Sequence, residues 1–392
     1  MSADKQTGFK EVLLRELKRM VSQPIYVVLI MGIPLACFLF FSTLMPDGLP
    51  DKLSIGVIDH NNSMLSRNII RQIDATQQAS VKMHFQQYSE ARDAMQSGKI
   101  FAFVEIPNHL EKDVMGYHQP KMEFYYNEAF QIPGSLVLKD LSTMLTTISA
   151  GVNLKTRQAK GQTYTESMGQ ILPIAPDIHA IGNPYVNYSI YLINVIMPGL
   201  LQLLVLMTTV YVIGVELKER TGRKWIRIAN GSIIKGLGAK LLPYTITFSI
   251  MGVFCDVILF KFLSYPMQDN ILWMFLASFL MVLAAQAVGI LMIGTFPVLR
   301  DGLSFAGLYG MLAFSYSGLS FPIEGMPPLL QGLSYVFPLR HFFRIYQDTA
   351  LNGLPPITAL PEFGCLALFL LLPLLVGIRL KKALIFQNYL KR

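Results

Sequence analysis

Six long runs of apolar side chains, broken by a single acid, set the terms on which this 392-residue chain can fold. They cover residues 20–46, 181–215, 241–260, 270–299, 302–323 and 363–378, and only Asp256 carries a charge inside them. A helix rises about 1.5 Å per residue and bilayer hydrocarbon is about 30 Å thick, so roughly 20 apolar residues make a span. With 52% hydrophobic and only 15% charged residues, the chain holds more apolar surface than a soluble core of this size needs. The surplus belongs in lipid, and six transmembrane helices are expected. The first run is longer than a signal sequence, follows a charged helix and lacks a small-x-small cleavage site, so it reads as a retained first helix.

Cationic flanks orient the spans, because Lys and Arg in short loops stay cytoplasmic. Lys5, Lys10, Arg15, Lys18 and Arg19 precede the first run, and Lys218 to Lys240 separate the second from the third. Arg300 follows the fourth, and Arg379, Lys381, Lys382, Lys391 and Arg392 follow the sixth. The opposite short loops hold Lys261, Arg340 and Arg344, so both termini are expected in the cytoplasm and residues 47–185 outside it. That external segment carries 12 basic and 14 acidic residues, so the net charge of +8 comes from the membrane flanks. The basic balance is a topology signal and gives no support to nucleic-acid binding. Cys37, Cys255 and Cys365 lie in or beside the spans, so the external segment has no disulfide scaffold.

The expected division is a cytoplasmic amphipathic helix over 1–22, a first span over 23–46 and an external α/β domain over 47–185. Spans two to six then occupy 186–380, with a cytoplasmic loop at 216–240 and an outer re-entrant loop at 320–361, before a cytoplasmic tail at 381–392. In the first helix Phe9, Leu13, Leu17 and Met20 recur at helical spacing, an apolar stripe suited to the membrane surface, either as an anchor or as a contact for a partner subunit. In the external segment, strands are expected at 53–59, 81–88, 100–106 and 121–127. Helices are expected at 64–79, at 89–97, after an Asn108 cap, and at 135–159. Residues 159–184, with Pro173, Pro176 and Pro184, suit an irregular return to the membrane. Small residues at Ala284, Ala285, Ala287 and Gly289, and at Gly302, Gly307 and Gly310, suit close helix packing more than a substrate path.

Catalytic chemistry is hard to find. No Gly-x-x-x-x-Gly-Lys-Ser/Thr loop is present; the stretch GSIIKGLGAK at residues 231–240 fails the spacing, so ATP would be hydrolysed by another chain. The six histidines show no close pairing with Cys or carboxylates at metal-ligand spacing, and no nucleophile-elbow pattern surrounds a serine. No catalytic, cofactor-binding or metal-binding residue is therefore assigned. Asp256 is the only acid within the apolar runs and so the one candidate for an ion-coupled carrier, and pairing with Lys261 at the interface is the simpler expectation.

Three stretches are distinctive: IGVIDHNNSMLSRNIIRQID (55–74), VELKERTGRKWIRIANGSIIKGLGAKLLPY (215–244) and SGLSFPIEGMPPLLQGLSYVFPLRHFFRIYQDTALNG (317–353). Together with one span, a large external domain and five further spans, they resemble the ABC transporter type-2 permeases, specifically the export permeases with an external domain between spans one and two. The resemblance implies an α-helical membrane protein with six transmembrane helices and an inserted external α/β domain. It also implies no enzyme activity in this chain, with ATP and Mg on a partner nucleotide-binding subunit. Two permease chains, identical or related, would pair in the bilayer of a bacterial inner membrane, and a periplasmic adaptor with an outer-membrane channel would complete the path. A hydrophobic or amphipathic compound would move outward.

By the same resemblance, the coupling candidates are Arg15, Arg19, Glu216, Glu219, Arg220, Gly222, Arg223, Lys224 and Trp225. The family's acidic residue, Gly-Thr, acidic order is altered here: Thr221 precedes Gly222 and two basic residues follow, and solvated charges would explain most of these positions as well. Phe321, Pro322, Met326, Pro327, Pro338 and Arg340 match the family's outer re-entrant region and are the outer-gate candidates, although prolines also simply break helices. An ion-coupled secondary exporter is the competing reading; a non-transporting receptor or scaffold is a third.

Overall fold

The computed structural model describes residues 8–44, 50–116, 118–171, 187–319 and 321–386. The chain forms two compact units, one from Met1–Pro46 with Ala180–Arg392 and one from Asp47–His179.

The membrane-type unit begins with α1 (Phe9–Ser22), α2 (Pro24–Val27), a π-helical turn (Val28–Gly32) and α3 (Ile33–Leu44).

The second unit runs β1 (Leu53–Asp59), α4 (Met64–Asp74), β2 (Ala79–Phe85), α5 (Tyr88–Gln96), β3 (Ala102–Ile106), α6 (Leu110–Met115), β4 (Glu123–Tyr126), α7 (Gln131–Ala159) and α8 (Tyr164–Ile171). Its sheet has the order β2-β1-β3-β4, with β1 parallel to both neighbours and β4 antiparallel to β3. Central β1 is buried on both faces and so reads as a nearly unbroken apolar run. Ile55, Val57 and Val104 point to Ile69 and Ile73 of α4 and Val137 and Leu141 of α7. Ile58 and Phe103 point the other way, to Ala91 and Ala94 of α5. This is the α/β arrangement expected.

Several boundaries shift. The helix expected over 64–79 stops at Asp74, whose carboxylate turns to the next strand, and Ala79 already belongs to β2. His109, not Asn108, occupies the N-cap of α6, without a side-chain bond. The expected irregular segment after 159 contains α8; Pro173, Pro176 and Pro184 lie outside the described residues.

Asp74 accepts hydrogen bonds from the Val81 N–H at 2.8 Å and the Ser80 hydroxyl at 3.1 Å. The Val81 N–H foremost holds its carboxyl below the usual carboxylate range. The stability gained is therefore complete above the unfolded value of about 3.9 and is lost as pH falls through the lowered one. Asp74→Asn keeps an acceptor but removes the charge. Thermal melts should show it less stable than the native chain at pH 7, with the difference closing in acid.

In the membrane-type unit the chain continues as α9 (Tyr188–Lys218), α10 (Gly222–Ile228) and α11 (Ile233–Val257), prolonged by a π-helical turn (Ile258–Phe262). There follow α12 (Leu272–Thr295), α13 (Leu299–Ser315), a 3₁₀ turn (Ile323–Gly325), α14 (Pro328–Ser334) and α15 (Pro338–Ile345), extended by a π turn (Tyr346–Leu351). The unit closes with α16 (Leu360–Leu368) and α17 (Leu372–Phe386). Central α12 packs on α9, α11, α13 and α17 and is apolar all round, the pattern of a helix set partly in a core and partly in lipid. Outward-facing Ile250, Phe279, Met311 and Leu375 are exposed, a surface suited to lipid.

Among the described residues, five helical stretches are long and apolar enough to cross a bilayer: Pro24–Thr43, Ser189–Lys218, Ile233–Phe262, Leu272–Thr295 and Pro356–Phe386. The run expected as a further span, 302–323, is helical only as far as Ser315. Its helix, α13, has 17 residues and a length of about 26 Å, a little under the hydrocarbon thickness. It nevertheless packs closely: a Cβ on Gly310 would lie 2.4 Å from Leu203 of α9, so the glycine sets this approach. Gly307 does not share that role, since a Cβ there would meet nothing within 4 Å.

Candidate functional site

Five charged side chains from three distant parts of the sequence meet where α1 lies against α9 and α11. Glu216, in the last turns of α9, is fully buried at 0% exposure and accepts from three cations. Arg15 Nη2 reaches its two oxygens at 2.8 and 2.9 Å, Arg19 Nη1 lies at 3.0 Å, and Lys240 Nζ at 2.9 Å. Lys240, itself at 0% exposure, also donates to Glu16 Oε2 at 2.6 Å, and the Tyr244 hydroxyl donates to the other oxygen of Glu16 at 2.8 Å. Glu219 extends the chain outward, accepting from Arg19 at 2.7 Å. Three cations thus face three carboxylates, and each buried charge is paired and hydrogen-bonded, the condition under which burial is tolerated.

Local structure supplies these positions. Val12 and Glu16 are the fully buried residues of α1 and stand one turn apart, while Phe9, Leu14 and Leu17 remain exposed. The side of α1 packed into the protein thus runs through Val12 and Glu16, while the 9-13-17-20 stripe expected at a membrane surface stays exposed or half-buried. Lys240 and Tyr244 likewise stand one turn apart on α11, which begins at Ile233 and carries Lys240 into the packed interior. The expected loop 216–240 is thus largely helical, comprising the end of α9, all of α10 and the first turns of α11. Tyr26 of α2 closes the cluster on one side, with its ring 6.1 Å from that of Tyr244.

The α9–α10 junction is a tight C-cap. Thr221 N–H bonds to Glu216 O at 3.0 Å and Arg220 N–H to Leu217 O at 3.3 Å, with Arg220 at φ 57° in the left-handed region. The Thr221 hydroxyl turns back to Glu216 Oε2, fixing the carboxylate from its own helix end. Gly222 opens α10 against α17, where a Cβ would fall 2.9 Å from the Leu384 carbonyl oxygen. Trp225 is wholly buried, with Lys240 Nζ 5.0 Å from its ring centroid, a cation–π contact. Arg223, Lys224 and Arg227 stay exposed on the other side of α10.

The coupling candidates thus separate physically. Arg15, Arg19, Glu216 and Glu219 form one network, Gly222 and Trp225 pack behind it, and Arg223 and Lys224 face outward. Sequence reasoning missed Glu16, Thr221, Lys240 and Tyr244. Two signals were there to find: an acid one turn from Val12 in a basic helix, and a lysine that continues the apolar run of α11.

The outer-gate candidates also divide. Phe321, Pro322 and Pro327 are exposed and Met326 half-buried around the 3₁₀ turn, whereas Pro338 and Arg340 are buried in α15. Arg340 lies 3.6 Å over the Tyr335 ring, with Nη1 3.6 Å from Glu362 of α16. His341 donates from Nε2 to the Tyr335 carbonyl at 3.0 Å, and its Nδ1 meets Glu362. Cys365, one turn beyond Glu362, completes a His–Glu–Cys group whose ligand atoms lie within 4.8 Å of one another. Spacing along the chain concealed this grouping, since His341 and Glu362 are on different helices. Arg340 already supplies counter-charge to the same carboxylate, so an ion-paired brace between α15 and α16 accounts for it. Asp256 accepts from the Ser278 hydroxyl of α12 at 2.8 Å rather than pairing with Lys261, which is exposed.

Comparison with known proteins agrees with this architecture. The family of ABC-2 family transporter proteins matches residues 24–379. A probable multidrug ABC transporter permease, YbhS, of Escherichia coli K12 is 26% identical over 122 residues, 30% of this chain and 32% of that one, and YbhS of Escherichia coli O157:H7 gives the same figures. The chain spans about a third of the length of these curated relatives. With the match covering nearly all of the helical unit and the sheet domain that lies between α3 and α9 in the sequence, the chain belongs to the ABC-2 family of transporter proteins.

Proposed function

We propose that this chain is the membrane permease of an ABC exporter, moving a hydrophobic or amphipathic compound outward with ATP hydrolysed on a separate subunit. The network on Glu216 carries the reading. A membrane anchor has no need to bury a lysine and two carboxylates under two half-buried arginines, whereas a machine that transmits force needs the elements receiving the push to move as one body. Lys240, Glu16 and Glu216 tie α1, α9 and α11 together, so a push on α1 or α10 is passed directly to two membrane helices. Exposed Arg223, Lys224 and Arg227 on α10 offer a basic surface for an acidic patch on the nucleotide-binding subunit.

On this reading α13 is the additional span, giving six, both termini are cytoplasmic, and the protein sits in a bacterial inner membrane. A second permease chain pairs with it, and the sheet domain projects into the periplasm, where an adaptor and outer-membrane channel dock. The first permease relative is named as a probable multidrug transporter, which supports a drug-like or lipid-like cargo.

Buried Asp256 favours the alternative of an ion-coupled exporter. Efflux of a panel of hydrophobic and amphipathic dyes from the native host separates the two. Asp256→Asn should leave efflux intact, while inactivating the cognate ATPase should abolish it. Efflux lost with Asp256→Asn and untouched by ATPase inactivation would establish the ion-coupled mechanism instead.

A further inference from the structure

The sheet domain carries an open groove of about 530 Å³ between α4, α6 and the second half of α7, which neither the transport reading nor the family match assigns. Its origin lies in one helix. The 29 residues of α7 reach about 43 Å, further than the sheet beneath them. Val137, Leu141 and Met144 bury against the sheet, and the same apolar stripe continues as Leu145, Ile148 and Val152, which are only half-buried because the core has ended. Leu65 of α4, Val114 of α6 and Met122 form the facing wall.

Among the described residues, the charged side chains at the end of the stripe are basic. Arg157 and Lys160 line the far end of the groove, His118 lines its side, and Lys155 borders a smaller recess sharing Val114, Thr156 and Lys160. Among the described residues, no carboxylate lines either space. Arg157 is held by neutral amide oxygens, from Asn153 at 3.0 Å and from Gln162 and Gln170, which aim the guanidinium without cancelling its charge. Cations at a helix C-terminus do favour the helix dipole, but that alone needs no apolar trough leading to them. The volume falls within the range of about 300–1,000 Å³ usual for small-molecule sites.

We infer that this groove binds an amphipathic organic anion, with its hydrocarbon along Leu145, Ile148 and Val152 and its anionic head at Arg157 and Lys160. The site is independent of ATP coupling and would stand or fall separately from the exporter reading.

The test is photolabelling of the full chain in lipid nanodiscs with a diazirine-bearing long-chain alkyl carboxylate, with crosslinked peptides mapped by mass spectrometry. Labelling is expected on α6 and α7, competed by dodecyl sulfate and not by dodecyltrimethylammonium. Arg157→Gln with Lys160→Gln should weaken it about tenfold, the scale of losing a charge-assisted hydrogen bond. Val152→Trp, which fills the trough and keeps the charges, should abolish it. Labelling of the membrane helices by lipid-dissolved probe serves as the internal standard, and circular dichroism confirms that the variants are folded. Labelling confined to the membrane helices, equal competition by the cationic amphiphile, or indifference to both variants would overturn the inference.

Discussion

Lys240→Met is expected to destabilise the membrane-type unit by about 3–5 kcal/mol, the usual cost of leaving a buried charge without its partner. Lys240 lies between Glu16 and Glu216 at 2.6 and 2.9 Å, and both carboxylates are buried. Without the ammonium, Glu16 keeps only the Tyr244 hydroxyl among the partners described here, and it faces a second carboxylate in a site with little water. Denaturation in mixed micelles by titration with SDS would measure the loss. Adding Glu16→Gln to Lys240→Met should recover much of it, because Glu216 retains Arg15 and Arg19. The double-variant cycle therefore predicts a large coupling between residues 224 positions apart.

The second large effect is expected at Gly222. A methyl there meets a backbone oxygen of Leu384 at 2.9 Å and its side chain at 2.7 Å, and a carbonyl has no rotamer to escape into. Gly222→Ala should push α10 from α17 at a cost of about 1–3 kcal/mol, typical of overpacking. Because α10 presents the basic surface proposed to meet the ATPase, the same change should lower ATPase recovery even where the chain stays folded. Gly307→Ala provides the control. Nothing lies within 4 Å of its Cβ position, so in a helix the change should be neutral or stabilising by up to about 1 kcal/mol.

What the sequence discloses depends on the range of the interaction. Apolar runs report burial locally, so α9, α11 and α12 could be placed from composition alone. Strand β1 matches its expected bounds because a central parallel strand is apolar throughout. Boundaries moved where a side-chain hydrogen bond rather than the apolar pattern set the turn, as at Asp74, which holds the start of the following strand. The charge cluster was only half legible. Arg15, Arg19, Glu216 and Glu219 were named through a family resemblance. Lys240 looked like another cytoplasmic charge, because a lysine at the edge of an apolar run reads the same whether it faces water or a carboxylate from the N-terminal helix. Glu16 was passed over for a similar reason: the apolar stripe of α1 pointed to Phe9 and Leu17, and these turn away from the protein. Pairing across more than 200 residues leaves no mark in local spacing.

The most direct measurement is to tag the unaltered chain at its C-terminus, extract it gently from its native host and identify by mass spectrometry what accompanies it. The account predicts a nucleotide-binding ABC subunit in stoichiometric amount. Reproducible recovery of the chain without any such subunit would contradict it.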